Sequence, residues 1–269
     1  MADGGGMPDV GGWDETVDAY ATFAERDTGA FAPAMVAAAA VARGDAVLDL
    51  AAGTGALTLP LAATGARVAA VDWSPGMVAF LARRLREAYP GDPHRAEVMD
   101  GHALTFADAS FDAALSLFGV MLFADFRAGL REMARVTRPG GRVVMGTWVG
   151  PTAPMRLFHD AVAAASPQVA LPEPVAGMAA MGDERGMAAE LTTVGLVDIR
   201  VDRLVRPWSA TRLEVAVAAP TMLARMPPWP ALSDAERAAT LRAMRAIADR
   251  DAGAPFESTA LVGVGVKPG

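Results

Sequence analysis

The chain has 269 residues, a net charge of −7 and a pI of about 5.0, and 52% of its residues are hydrophobic. So acidic a chain lacks the basic surface that binders of nucleic acid present, which argues against nucleic acid as a partner. The mean hydropathy of +0.26 excludes a disordered chain. The absence of cysteine excludes disulfides, thiolate metal sites and the cysteine nucleophile of cytosine C5 methylation.

No apolar run reaches the roughly 18 residues that a membrane-spanning helix needs. Residues 1–12 lack the basic start and the apolar centre of a signal peptide. We therefore expect a cytoplasmic protein with no membrane partner. Its length fits one α/β domain with insertions.

The first predicted elements are helices. Residues 1–12 are rich in glycine and aspartate and predict a flexible tail. Apolar residues at helical spacing predict one helix from Trp13 to Arg26 and another from Phe31 to Ala42. Arg43-Gly44 then forms a typical C-terminal stop before the first strand.

A buried strand from Val47 to Leu50 is predicted to end in a glycine loop. Gly53 and Gly55 permit positive φ and leave no Cβ, so a ligand can lie against the backbone in front of the next helix. Asp49 lies inside the strand, and Thr58 replaces the third glycine of a dinucleotide-binding loop. A negative charge under the loop favours a ligand with an ammonium or sulfonium group over one with a pyrophosphate.

A second carboxylate ends the next predicted strand. Asp72 closes the apolar run from Ala66, about twenty residues beyond the glycine loop, where a second parallel strand ends. A carboxylate at this position can accept hydrogen bonds from both hydroxyls of a ribose. Ser74-Pro75 then predicts an N-cap followed by proline at the first position of a helix.

Strands and helices continue to alternate. Strands are predicted over Ala96–Met99, Phe111–Phe118 and Arg142–Trp148, with a helix over Arg127–Thr137 before the last of them. This alternation predicts an α/β fold with a doubly wound, mostly parallel sheet, whose ligands bind at the carboxyl ends of the strands.

Five motifs occur in one order along the chain. They are Asp49-Leu-Ala-Ala-Gly-Thr-Gly55, Val71-Asp72-Trp-Ser-Pro-Gly-Met77, Met99-Asp100-Gly-His102, Phe111-Asp-Ala-Ala-Leu-Ser-Leu-Phe118 and Arg131-Glu-Met-Ala-Arg-Val-Thr-Arg-Pro-Gly-Gly-Arg142. Together they resemble the class I, Rossmann-like S-adenosylmethionine (SAM)-dependent methyltransferases, in the UbiE-like branch that acts on small molecules. The resemblance is good from Arg43 to Trp148 and loose elsewhere.

The resemblance implies a seven-stranded sheet whose last strand is antiparallel, and SAM as cofactor. It implies that residues 13–42 form lid helices, 43–149 the SAM-binding core, and 150–269 the rest of the sheet with helical insertions over the substrate. Trp73 and Met77 fall where the family sandwiches adenine, and Asp100 and Gly101 where it hydrogen-bonds adenine; His102 is expected to border the ring. The cofactor residues implied are Tyr20, Asp49, Ala51, Gly53, Gly55, Asp72, Trp73, Met77, Asp100, Gly101, His102 and Leu117.

The stretch after residue 150 departs from the family core. Helices are predicted over Pro151–Ala165, Glu184–Val194, Thr211–Ala224 and Ser233–Arg250, and strands over Asp198–Arg206 and Ala260–Lys267. Ser233 and Glu236 form a predicted capping box at the start of the last helix.

The substrate end of the predicted site is apolar. Related O-methyltransferases place a histidine after strand four and an acid after strand five, but here Phe118, Met121, Leu122 and Trp148 are the expected walls. Two candidates remain for catalysis. His159 is a candidate base or an ordinary surface histidine, and Tyr20, with Trp13 as the second choice, lines the transfer cavity or only packs the lid.

These features predict a methyltransferase that needs no metal and that methylates a small, mostly apolar molecule, in secondary metabolism, by proximity and desolvation. One alternative keeps SAM but catalyses a cyclisation or a decarboxylation. A second, an NAD-dependent reductase, is disfavoured by Asp49 and Thr58, and a third is a SAM-binding partner without catalysis. The sequence leaves the oligomeric state and the choice among O-, N- and C-methylation open.

Overall fold

One seven-stranded sheet organises the fold. The computed structural model describes residues 11–14, 16–91, 93–224 and 226–269. The strands are β1 Ala46–Leu50, β2 Arg67–Asp72, β3 Arg95–Val98, β4 Phe111–Leu117, β5 Thr137–Trp148, β6 Val197–Pro207 and β7 Glu257–Val266. Their spatial order is β3-β2-β1-β4-β5-β7-β6. The strand order reverses between β1 and β4, and such a switch point opens a crevice at the carboxyl ends of the strands.

The pairings confirm the predicted α/β class. β1 lies parallel to β2, with Leu50 opposite Val71, and parallel to β4 on its other side. β2–β3 and β4–β5 are parallel too. Gly140 donates its N–H to the carbonyl of Lys267 and Val149 donates to that of Thr259, so β5 and β7 run in opposite directions. The last strand is therefore antiparallel, as the resemblance implies.

The helices follow the predicted order with shifted ends. They are α1 Gly11–Asp14, α2 Val17–Phe23, α3 Glu25–Gly29, α4 Ala32–Ala39, α5 Thr58–Ala63, α6 Pro75–Ala88, α7 Phe126–Val136, α8 Ala153–Ala165, α9 Ala176–Met181, α10 Glu184–Thr193, α11 Arg212–Met222 and α12 Asp234–Arg250. Single 3₁₀ turns cover Val120–Leu122 and Trp229–Ala231. No helix in the described ranges is long and apolar enough to cross a membrane.

Several predicted boundaries were wrong. The single helix expected from Trp13 to Arg26 is divided into α1, α2 and α3, with a break at Ala24. The helix expected to end at Ala42 ends at Ala39, because Ala40 adopts a left-handed conformation with φ of 48°. The helix α9 lies in a stretch for which we predicted none. Residues 1–10, most of the predicted tail, lie outside the described part of the chain.

Two predicted caps are confirmed. The Ser74 side chain accepts the N–H of Met77 at the start of α6. Ser233 and Glu236 form the capping box that begins α12. Both caps satisfy N–H groups that a helix start otherwise leaves without a partner.

The chain divides into two compact units. The first contains the described residues up to 147 together with 175–204 and 260–269, and the second contains 148–174 and 205–259. In the first unit, α4 and α5 pack on one side of the sheet, over a core that includes Met35, Leu61 and Val144. In the second, α8, α11 and α12 enclose a core around Phe158, Trp229 and Met244.

Candidate cofactor site

A buried carboxylate lies beneath the loop that follows β1. Asp49 is only 1% exposed, because neighbouring strands flank β1 on both sides. Thr58, the first residue of α5, donates its hydroxyl to Asp49 Oδ2 at 2.6 Å. Burial raises the pKa of Asp49 to about 7; the Thr58 hydrogen bond opposes this rise and the nearby Asp72 adds to it.

Asp72 ties the loop to the end of β2. Its Oδ2 accepts the N–H of Gly53 at 2.8 Å, and its Oδ1 accepts the N–H of Ser74 at 2.9 Å. Burial raises the pKa of Asp72 in spite of these bonds. Each oxygen has a further lone pair, so the carboxylate can accept two more hydrogen bonds. Asp49 and Asp72 thus lie on neighbouring parallel strands, near the carboxyl ends of both.

The two glycines of the loop differ in their surroundings. Gly53 has φ of 55°, and a Cβ placed on it would meet no atom within 4 Å, so the backbone there faces open space. Gly55 has φ of 103°, and a Cβ there would lie 2.5 Å from Leu81 Cδ1 of α6. Gly53 leaves room for a ligand, whereas Gly55 lets α6 pack closely against the loop.

A third loop, after β3, presents polar groups beside an aromatic ring. Asp100 Oδ1 accepts two hydrogen bonds from His102, one from its backbone N–H at 2.9 Å and one from its ring Nδ1 at 2.7 Å. Burial acts to raise the pKa of Asp100, but these bonds outweigh it and hold the pKa below its usual value. The His102 ring lies 4.7 Å from that of Phe123, and a Cβ on Gly101 would lie 2.6 Å from the same ring.

The residues expected around adenine differ in exposure. Trp73 is 46% exposed, whereas Met77 is buried at 2%. Leu117, at the end of β4, is partly buried and packs on the core that includes Met35. The contacts of these three side chains with a cofactor stay predictions.

The N-terminal helices are attached beside Asp72. The carboxylate of Asp14, in α1, accepts the Ser74 hydroxyl and, at 2.8 Å, the N–H of Gly76. The ring of Trp13 meets that of Tyr20 edge-on at 6.0 Å, and the Tyr20 hydroxyl lies 3.2 Å from Thr28 Oγ1. Burial raises the pKa of Tyr20, and the charges of Asp49 and Asp72 raise it further, so this hydroxyl keeps its proton at neutral pH.

Apolar side chains follow β4. Phe118 is buried with φ of 62°, an uncommon conformation for a bulky residue, and its ring meets Phe31 edge-on at 5.5 Å. Met121 is buried too, and its sulfur accepts the Thr147 hydroxyl. Leu122 is 37% exposed. The predicted wall at this strand end is thus apolar in the structure.

Two predicted site residues belong to the second unit. Trp148 is the last residue of β5 and is buried. His159 lies on α8 with its Nε2 buried and without a hydrogen-bond partner among the described residues. Burial lowers its pKa, and the nearby Asp160 opposes this shift. The lowered pKa favours the neutral form of this imidazole.

Gly119 joins the loops after β1 and β4. A Cβ on Gly119 would overlap the Cβ of Ala51, which itself adopts a positive φ of 59°. We expect Gly119→Ala to cost about 1–3 kcal/mol by overpacking and to weaken SAM binding, because the displaced residue belongs to the glycine loop. Thermal unfolding and calorimetry test this. Gly253→Ala, where a Cβ meets nothing within 4 Å, is the control and should alter neither quantity.

These groups fit SAM. The crevice holds two acids whose pKa is raised by burial, a backbone open at Gly53, and an exposed indole directly after the second acid. Such a set suits a cationic ligand with a ribose and an adenine. Asp49 would face the ammonium group, Asp72 the ribose, and Trp73 with Asp100 and His102 the adenine.

Comparison with known proteins identifies the family. Residues 47–141 match the family model described as a methyltransferase domain. A demethylmenaquinone methyltransferase of Mycolicibacterium gilvum is 39% identical over 167 residues, which are 58% of this chain and 70% of that protein. The chain belongs to the UbiE-like SAM-dependent methyltransferases. The cofactor of this methyltransferase is accordingly SAM.

Two further comparisons agree. One relative is matched over a smaller share of its own length, and one solved structure shows the fold alone. A demethylmenaquinone methyltransferase of Corynebacterium efficiens is 43% identical over 129 residues, 47% of this chain and 53% of that protein. The chain thus matches about half the length of that relative. A putative methyltransferase from an antibiotic biosynthesis pathway of Anabaena variabilis superposes with a TM-score of 0.62 at 16% identity, over 86% of this chain and 95% of that one.

The sequence did not single out several residues of the site. Four residues contact loops or helices of the cofactor site through partners that are distant in the sequence. They are Asp14 (partner Gly76), Glu25 and Arg84 (partners of each other, with Arg84 also bound to Thr54) and Phe123 (partner Gly101). Gly76 leaves room for the Asp14 carboxylate, because a Cβ there would lie 3.0 Å from Asp14 Oδ1.

Proposed function

We propose that this methyltransferase methylates a small, mostly apolar acceptor of the quinol class. The observation that carries the proposal is the apolar wall of Phe118, Met121 and Leu122 at the carboxyl end of β4. Two relatives are demethylmenaquinone methyltransferases, which supports a quinol in particular. The net charge of −7 makes a polyanionic acceptor unfavourable.

SAM supplies an electrophilic methyl group on a sulfonium sulfur. A bond forms between the methyl carbon and an acceptor atom, the sulfur keeps the electron pair of the broken bond, and the acceptor loses one proton. Correct orientation at about 3 Å supplies roughly 7–11 kcal/mol of such a barrier. An electron-rich quinol is already nucleophilic, so the apolar residues need only orient it and exclude water.

The proton that the acceptor loses is not assigned to Tyr20. A base must be neutral at the working pH and must have a free lone pair. Tyr20 keeps its own proton, so its proposed role is to line the cavity.

The test is a set of acceptors incubated with the protein and SAM. We expect S-adenosylhomocysteine to form with a reduced, short-chain demethylmenaquinone, together with a product heavier by one methyl group in place of a hydrogen, and chelation by EDTA to leave the rate unchanged. Glycine and a polar sugar are the control acceptors and should give neither product. Turnover of a control at the rate of the quinol, or none with the quinol, would contradict the proposal.

A further inference from the structure

Arg84 connects two parts of the cofactor site that lie far apart in the sequence. It lies on α6, and its Nη1 donates both to Glu25 Oε1 of α3, at 2.5 Å, and to the backbone carbonyl of Thr54, at 2.8 Å. Its side chain is 30% exposed and that of Glu25 is 15% exposed. The ion pair is therefore partly shielded from water, and its hydrogen bonds are stronger than those of an exposed surface pair.

The contact with Thr54 fixes one peptide plane of the glycine loop. The Thr54 carbonyl and the Gly55 N–H belong to the same peptide group, and the Gly55 N–H donates to the carbonyl of Ala52 at 3.0 Å. Arg84 thus holds one side of this peptide and Ala52 the other. Gly55 has φ of 103°, and these two contacts help to hold the flexible loop in one conformation.

The contact with Glu25 fixes the helix that supports Tyr20. Thr28 Oγ1 donates to the Glu25 carbonyl at 3.0 Å and lies 3.2 Å from the Tyr20 hydroxyl. Through Glu25, Arg84 therefore holds α3, whose Thr28 contacts Tyr20, beside the glycine loop.

We propose that Arg84 is a positioning residue for SAM: it orients the Thr54–Gly55 peptide and holds α3 against it. Its hydrogen bonds go to Glu25 and Thr54, so it acts on the cofactor through these two segments. The proposal rests on SAM being the cofactor and not on the identity of the acceptor, so binding experiments without any acceptor test it separately from the proposed function.

The main experiment compares two arginines of one helix. Arg84→Met removes both contacts, and we expect the Kd for SAM to rise about tenfold, with faster hydrogen exchange at the amides of residues 17–29 and 53–57. Arg83→Met is the matched control: Arg83 also lies over the Phe80 ring but has no hydrogen bond to Glu25 or Thr54. We expect the control to keep the Kd and the exchange rates of the wild type.

Two further variants distinguish the loss of the Arg84 contacts from a general loss of folding. Arg84→Lys keeps the charge and one donor group, and should recover part of the affinity. Glu25→Gln should speed exchange in residues 17–29 but leave residues 53–57 protected, because the contact with Thr54 remains. The proposal is overturned if Arg84→Met binds SAM as tightly as the wild type, or if Arg83→Met weakens binding equally.

Discussion

Replacing Asp72 by alanine is expected to weaken SAM binding by at least tenfold. Two charge-assisted hydrogen bonds to the ribose contribute roughly 1.5–3 kcal/mol each, and about 1.4 kcal/mol corresponds to a factor of ten in Kd. The structure adds a second cause. The same carboxylate accepts the N–H groups of Gly53 and Ser74, so its loss also frees the glycine loop from the end of β2. Titration calorimetry with SAM measures the effect.

Asp112→Ala is the matched control for this variant. Asp112 also accepts a backbone N–H, that of Ala46 at 2.7 Å, and it pairs with Arg138. It lies at the amino ends of β1 and β4, away from the cofactor loops. We expect the control to lose stability but to keep its affinity for SAM. Equal losses of affinity in the two variants, or none in Asp72→Ala, would refute the ribose assignment.

The sequence was sufficient for the parts of the site that are local. A strand, a loop and a helix that follow one another place Asp49, Gly53 and Gly55, because the patterns of apolar residues and glycines set them directly. Parallel pairing of consecutive strands then brings Asp72 next to the loop. These inferences need no knowledge of side-chain packing.

The contacts between distant segments could not be predicted. Arg84 and Glu25 are 59 residues apart, and Asp14 and Ser74 are 60 apart. Neither pair has a signal in its own stretch, since a charged residue on a helix is usually solvated. The break of the N-terminal helix at Ala24 could not be predicted either, because alanine itself favours a helix.

The second large effect concerns the charge of Asp49. In the protein without SAM, burial raises the pKa of this carboxyl to about 7. We predict that the ammonium group of SAM binds the charged carboxylate of Asp49, so below this pKa a proton must leave before SAM binds. Binding of SAM then releases one proton from Asp49. We therefore expect the affinity for SAM to fall about tenfold for each pH unit below 7. Above about pH 8 the amino group of SAM itself loses charge, so affinity peaks between these values.

Variants of Asp49 and Thr58 test the origin of this dependence. Asp49→Asn should bind SAM weakly at every pH and lose the decline below pH 7, because no titrating group remains under the loop. Thr58→Val removes the hydrogen bond that lowers the pKa of Asp49, so the decline should begin at a higher pH than in the wild type. Calorimetry from pH 5 to 8 measures both. A wild-type affinity that is constant over this range would refute the role of Asp49.

The buried carboxylate of Asp49 also lowers the stability of the folded chain when SAM is not bound. Its pKa is higher in the folded chain than the ordinary value of 3.8, so the folded state binds more protons and loses stability as the pH rises from about 4 to about 7. Asp49→Asn should therefore unfold at a higher temperature than the wild type at pH 8, by roughly 2–4 °C for each kcal/mol gained, and at the same temperature at pH 4. Saturating SAM should reverse the order at pH 8, because only the wild type gains an ion pair with the ammonium group. When a buried acid binds a cation, its charge destabilises the protein without the ligand. The positive charge of the bound ligand then offsets this cost.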